Sequence, residues 1–307
     1  MKQKILSAIE HHSIITLFRH GHPDHDALGS QFGFKQWILD NYPDKQVYCL
    51  GDERNPNFEY PFSDVISDDI IESSLAIILD TAGINRVDDS RFMKAQMKIR
   101  IDHHPQFDEG YDLQMVYEEA GSCSEILAEC MMEWKKKVSH ETAELLMRGI
   151  LADTLGFRTT NTTANTLRMA AFLAERDLDL PKLNRDVFDI PKSRFELATE
   201  FRKRAVIEAC GLVTVVLTYQ DCLDLGITST SAKELVSQFG GVIDFEVWAI
   251  FAQTEQGTYE GSLRSKAVTV NDIACEFGGG GHKNACGIKG LSEQRMHELL
   301  NKIRERL

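Results

Sequence analysis

The sequence predicts an α/β protein: an N-terminal domain built on a parallel sheet with helices on both faces, followed by a smaller α/β domain, with the active site expected in the cleft between them. Three observations lead there. Five short apolar runs punctuate the first half, and most are unbroken rather than alternating, as strands buried on both faces read. Helical patterns separate several of them, which is the alternation of a parallel sheet. After Gly211 the style changes to a second set of strands and helices about 100 residues long.

The predicted strands of the first half are 14–19, 46–50, 75–79, 97–101 and 112–117. Residues 27–41 form a helical pattern with Leu28, Phe32, Trp37 and Ile38 near one stripe. A helical block follows. Residues 122–137 carry Ile126, Leu127, Cys130, Met131 and Trp134 at helical spacing, Ser139 is placed to cap the next helix, and 163–175 make a third. The charged stretch "RDVFDIPKSRFELATEFRKRAVIEA" reads as a helical connection, which sets the boundaries at 1–185, 186–210 and 211–307. Beyond it "LVTVVLTY" is a strand and 231–239 a short helix. "DFEVWAIFAQTEQGTYEGSLRS" reads as two strands around a turn at Glu255-Gln256-Gly257. A helix, a glycine run at 278–281, a short strand at 285–289 and a terminal helix at 292–306 complete the chain.

Composition narrows the function. At 307 residues, 43% hydrophobic and 26% charged, the chain is long enough for two globular domains. No apolar run approaches the ~20 residues of a membrane span, and the N-terminus lacks the apolar core of a signal peptide. The expectation is a cytoplasmic protein with no membrane partner. The seven cysteines are odd in number and form no C-x-x-C pair, so neither a disulfide framework nor a zinc knuckle is expected. A net charge of −13 speaks against a broad track for long duplex nucleic acid. It leaves room for a small polyanion held by a few local groups.

The chemistry concentrates in four places. "RHGHPDHDALGS" places His20, Asp24 and Asp26 in an H-x3-D-x-D frame, where a buried strand gives way to a helix. Carboxyl ends of parallel strands are where such sheets bind ligands. Two carboxylates and an imidazole suit a divalent cation such as Mn2+, although an Asp-rich turn also caps helices. Asp80 closes the apolar strand of "LAIILDTAG", and Asp102, His103 and His104 follow another strand in "KIRIDHH". Asp153 ends the helical segment of "RGILADTLGF". Each alone reads equally as a turn or helix-end residue. Together, His20, Asp24, Asp26, Asp80, His103 and Asp153 supply the ligand number that two metal ions with one shared carboxylate require.

In the second domain, Gly278, Gly279, Gly280 and Gly281 remove every Cβ from one stretch, so that backbone N–H groups can approach phosphate oxygens. His282 follows directly, and Arg264 ends the preceding strand, where a guanidinium can grip a phosphate through paired hydrogen bonds.

"RHGHPDHD", "LDTAG", "IDHH" and "ADTLGF", in this order, resemble the successive motifs of the DHH phosphoesterase family, and "FGGGGHKNACG" resembles the glycine-rich signature of the DHH-associated domain. The resemblance implies a two-metal hydrolase, most simply with Mn2+ and with Mg2+ as the alternative. His20 and Asp24 would hold one ion, Asp26, His103 and Asp153 the other, and Asp80 both. It implies that His104 is catalytic and lies near the scissile phosphate, and that Arg264, the glycine run and His282 bind substrate. The compact members it most resembles cut short oligoribonucleotides to 5′-mononucleotides and dephosphorylate 3′-phosphoadenosine 5′-phosphate. The expected partners are dinucleotides, short RNA and small nucleotides rather than long duplexes, and the chain could form a homodimer. Linear or cyclic dinucleotide hydrolysis, exopolyphosphatase, inorganic pyrophosphatase and a non-catalytic nucleotide-binding module are the alternatives.

Overall fold

The structure, a computed structural model, describes residues 1–52, 55, 58–105 and 109–307. It divides into two compact units, Met1–Asp189 and Ile190–Leu307. The division falls inside the stretch that reads as a connection.

In the first unit the chain runs α1 (Lys2–His11), β1 (Ile14–Phe18), α2 (His25–Asn41), β2 (Gln46–Cys49), α3 (Asp68–Glu72), β3 (Leu75–Leu79), β4 (Met97–Asp102) and β5 (Leu113–Val116), then α4 (Cys123–Trp134), α5 (His140–Asp153), α6 (Ala164–Ala174) and α7 (Leu180–Phe188). The five strands pair in parallel in the order β2-β1-β3-β4-β5. Successive strand residues face opposite ways. Ile15, Leu17, Leu75, Ile77, Leu79, Ile99 and Ile101 therefore enter the main core beneath the long helices. Phe18, Ala76 and Ile78 pack with Ile71, Val87 and Phe92 on the other face. Both faces are covered, which is why these strands read as unbroken apolar runs.

Helices α2 and α5 cross closely, and glycines permit it. A Cβ on Gly29 would press on the Leu145 carbonyl, and one on Gly33 would lie 3.2 Å from the Leu146 side chain. Glycine costs a helix interior about 1 kcal/mol relative to alanine. Its presence at these positions reflects close approach rather than helix formation.

The second unit contains α8 (Lys192–Arg204), β6 (Val206–Ile207), β7 (Leu212–Leu217), α9 (Tyr219–Asp224), α10 (Ser229–Glu234), β8 (Val247–Gln253), β9 (Tyr259–Ser265), α11 (Asn271–Glu276), β10 (Gly280–His282), β11 (Ala285–Leu291) and α12 (Glu293–Arg306). Its sheet, ordered β10-β11-β9-β8-β7-β6, is mixed: β7 and β8 run parallel, and the other neighbours are antiparallel. Two local expectations change. Residues 231–239 are not one helix, because α10 gives way to a 3-10 turn at Leu235–Phe239. The 186–210 stretch is not purely helical, because Val206 and Ile207 pair with Thr214 and Val213 as an edge strand.

Candidate metal centre

The order β2-β1-β3-β4-β5 reverses direction between β1 and β3. Open parallel sheets bind ligands at that switch point, beyond the carboxyl ends of the strands. Although β2 separates β1 from β3 in sequence, β1, β3 and β4 are adjacent in space. Their ends therefore deliver His20, Asp80 and His103-His104 to one place. Asp24 and Asp26 arrive on the first turn of α2, and Asp153 is the last residue of α5.

Three groups of donor atoms result: one joins Asp80, Asp102, His103 and His104, and the other two hold the expected ligands. Ligand atoms of His20, Asp24 and Asp80 lie within 4.8 Å of one another, as do those of Asp26, His103 and Asp153. Asp80 joins the sets: its Oδ2 is 3.4 Å from His20 Nε2 and its Oδ1 is 3.2 Å from His103 Nε2. His103 Nε2 is also 3.3 Å from Asp153 Oδ2, and His20 Nε2 is 3.8 Å from Asp24 Oδ2.

The chain's own bonds orient these atoms. His20 Nδ1 is 2.7 Å from the Gly21 carbonyl and His103 Nδ1 is 3.3 Å from the Ala120 carbonyl. A carbonyl only accepts, so each Nδ1 carries the proton and each Nε2 lone pair is left for a cation. Asp24 serves two purposes. Its Oδ1 caps α2 by accepting from the N–H groups of Asp26 and Ala27, both at 3.0 Å, while its Oδ2 faces His20. Asp26 is fully buried and rests on the N-terminus of α4, where its Oδ2 accepts from Cys123 N at 2.6 Å and its Oδ1 from Ser124 N at 2.9 Å. Asp80 has φ +48°, a left-handed conformation that Asp tolerates better than most side chains.

The residues fit divalent cations. Asp80 Oδ1 is buried and makes no hydrogen bond, yet two imidazoles stand 3.2 and 3.6 Å from it. Neither imidazole is aligned as a donor to it, so this buried oxygen keeps lone pairs that a cation can satisfy. Four carboxylates gathered at low dielectric also need positive charge. Burial, then the Asp80 carboxylate, pushes Asp26 up to about 7. Burial, then Asp26 and Asp80, pushes Asp153 up to about 10. Burial opposes charge on His20 and His103, but Asp80 overrides it and lifts them to about 9 and about 10. The same imidazoles hold Asp80 below the usual carboxylate range against the effect of burial. Without a cation the cluster therefore retains protons at neutral pH, and a cation must displace them. The apparent affinity for Mn2+ is expected to climb between about pH 6.5 and about pH 8.5, on the order of tenfold per pH unit for each proton displaced. Calorimetric titration in two buffers of different ionisation heat measures both the slope and the proton release.

Sequence reading passed over three features of the centre. Asp102, fully buried, receives His104 Nδ1 at 2.9 Å and pairs with buried Arg100. The Cys123 and Ser124 N–H groups cradle Asp26. Gly149 leaves room for that carboxylate, since a Cβ there would lie 2.5 Å from Asp26 Oδ1. A glycine inside an otherwise helical segment was the one available signal.

In the second unit, Arg264 is half-buried on β9, where its Nη1 donates to Ser262 Oγ and the Leu263 carbonyl. The glycine run is a turn followed by an edge strand rather than an open loop: Gly280, Gly281 and His282 pair with Gly287, Cys286 and Ala285. Gly278 and Gly281 have φ +78° and +140°, and a Cβ on Gly279 would sit 2.5 Å from Ile288 Cγ1. Gly280 faces open space.

A parallel sheet with paired His/Asp donor sets at its switch point and a separate mixed-sheet unit together define a metal-dependent phosphoesterase of the DHH/DHHA1 family, to which this chain belongs. Residues 14–150 match the N-terminal domain of the DHH family, and 211–307 match the DHHA1 domain. A protein of Streptococcus mutans serotype c, named as a probable bifunctional oligoribonuclease and PAP phosphatase NrnA, is 33% identical over 304 residues, covering 99% of this chain and 98% of the relative. Among solved structures, an exopolyphosphatase-related protein from Bacteroides fragilis superposes with a TM-score of 0.86 at 20% identity, covering 98% and 94% of the two chains. RecJ from Thermus thermophilus, in complex with Mn2+, shares the fold at a TM-score of 0.51 and 13% identity, over 98% of this chain and 53% of RecJ. Among the described residues, no helix is long and apolar enough to cross a membrane.

Proposed function

We propose that this chain hydrolyses short oligoribonucleotides to 5′-mononucleotides and removes a phosphate from 3′-phosphoadenosine 5′-phosphate, with two divalent cations, Mn2+ or alternatively Mg2+. The observation that carries the reading is Asp80, one buried carboxylate whose two oxygens face imidazoles of two different donor sets. A carboxylate so placed is suited to two ions close together, the arrangement used for in-line displacement at phosphorus. The Streptococcus mutans relative, alike over its whole length, carries the same pair of activities in its name. RecJ, which shares the fold, binds Mn2+.

When bound, the cations would polarise the phosphoryl group and make water a stronger nucleophile at neutral pH. His20 and Asp24 would hold one, Asp26, His103 and Asp153 the other, and Asp80 both. His104 offers a ring nitrogen not used by Asp102, Nε2, which can accept a proton from the attacking water and then give it to a leaving oxygen. Arg264 has no carboxylate within 4.0 Å among the described residues, so its guanidinium is available to a phosphate. With His282 and the open side of Gly280 it would recognise the end of the substrate. The net charge of −13 disfavours long polyanions and favours substrates small enough to be held by such local groups.

The test is one panel of substrates with Mn2+-loaded protein: pApA, short RNA, 3′-phosphoadenosine 5′-phosphate and pyrophosphate. 5′-AMP should appear from pApA and from 3′-phosphoadenosine 5′-phosphate, with slower turnover of pyrophosphate. Preference for pyrophosphate, or a chain that binds nucleotides and cleaves none, overturns the reading.

A further inference from the structure

We infer that Arg100 and Asp102 are positioning residues that set the tautomer and direction of His104; this role rests on the phosphoesterase reading of the site. Arg100 and Asp102 are two apart on β4, hence on one face of the sheet, and both side chains are fully buried. Arg100 Nη2 donates to Asp102 Oδ2 at 2.5 Å and to the Ala82 carbonyl at 3.3 Å. Asp102 Oδ1 accepts from the His103 N–H at 2.8 Å, the His104 N–H at 3.2 Å and His104 Nδ1 at 2.9 Å.

The oxygens of Asp102 are thus occupied by N–H donors. Although Asp102 stands among the same cluster of His and Asp ligand atoms, it has little left to offer a cation. An ionised carboxylate only accepts, so His104 must carry its proton on Nδ1 and keep Nε2 free for substrate. The bond also settles a competition. His104 Nδ1 lies 3.6 Å from Asp80 Oδ1, and without Asp102 it could turn to that oxygen and compete with a cation for it. Arg100 acts one step back. With Oδ2 engaged by the guanidinium, the carboxylate is locked with Oδ1 toward the His103-His104 backbone. Arg100 Nε and Nη1 are buried without a hydrogen bond, a cost that stability alone does not repay, since buried ion pairs seldom stabilise more than apolar replacements.

The experiment uses the full chain. Nitrogen-15 histidine spectra of the metal-free protein, with the His104 signals assigned through His104→Gln, report the tautomer without turnover. The wild type should show His104 with its proton on Nδ1 alone. Asp102→Asn keeps the shape, but Arg100 Nη2 requires an acceptor, so the amide oxygen should turn to Arg100 and the NH2 to His104, and that preference should be lost. The substitution should lower kcat on pApA roughly 10- to 100-fold, with KM and Mn2+ affinity within about 3-fold. Arg100→Lys should retain the tautomer and most of kcat, and Arg100→Met should not, which keeps the proposal open to test if one variant folds poorly. An unchanged tautomer in Asp102→Asn overturns the inference, and so does a Mn2+ affinity that falls in step with kcat, because Asp102 would then be a ligand. A wild type with the expected tautomer but no turnover of any phosphoester overturns the functional reading instead, and with it the role of His104.

Discussion

Asp80→Asn is expected to fold normally and to lose turnover by about a thousandfold or more. The size of the loss follows from the role proposed for the residue. Removing one shared ligand weakens the hold on both ions, a bound ion contributes several kcal/mol of transition-state stabilisation, and each 1.36 kcal/mol is tenfold in rate. Asparagine is the informative replacement because the backbone at position 80 is left-handed, with φ +48°, and asparagine tolerates that region as aspartate does. A loss seen with this variant cannot be assigned to backbone strain. In the metal-free protein the substitution removes attraction to His20 and His103 but also repulsion against Asp26 and Asp153. The melting temperature without metal should therefore move little. The rise in melting temperature on adding Mn2+, which measures binding to the folded state alone, should shrink sharply. Full turnover in Asp80→Asn would refute a shared carboxylate.

Much of the centre was legible because strand ends are legible. An apolar run of strand length followed at once by His or Asp marks a residue at the rim of a buried sheet, and three such rims appear in the text before Asp153. What the text does not show is that β1, β3 and β4 are neighbours. The order of strands depends on where the chain crosses over, and β2, which carries no ligand, stands between β1 and β3 in sequence but outside them in the sheet. The choice between a capping and a ligating Asp24 was not resolvable either, since one oxygen caps α2 and the other faces His20. At 278–281 local reasoning missed an element for a definite reason. Glycines carry almost no strand propensity, yet the pairing of Gly280 and Gly281 with β11 is set by tertiary partners, and Gly281 at φ +140° needs to be glycine for its backbone, with no appeal to a ligand.

The close passage of α5 over α2 was equally hidden, and it yields the second large effect. Gly149→Ala should damage the centre although it touches no substrate. Alanine would improve intrinsic helix propensity by about 1 kcal/mol, but its Cβ would lie 2.5 Å from Asp26 Oδ1, 2.9 Å from Ser124 Cβ, and closer still to Ser124 Oγ. Asp26 cannot swing aside, because both oxygens are tied to the N-terminus of α4 and the residue is fully buried. Either α5 moves outward, carrying Asp153 with it, or Asp26 leaves its cradle. Overpacking of this kind costs roughly 1–3 kcal/mol, and a shift of about 1 Å in a ligand costs about a hundredfold in rate. The two consequences are separable. Ser124 Oγ is buried with no aligned hydrogen bond, although its side chain helps favour the charged form of Asp26, so its removal should cost little in stability. Adding Ser124→Gly to Gly149→Ala clears two of the three contacts and should recover part of the melting temperature. The contact with Asp26 Oδ1 remains, so Mn2+ affinity and kcat should stay low. If the double variant instead regains full activity, the glycine serves helix packing alone and the carboxylate has more freedom than its two backbone hydrogen bonds imply.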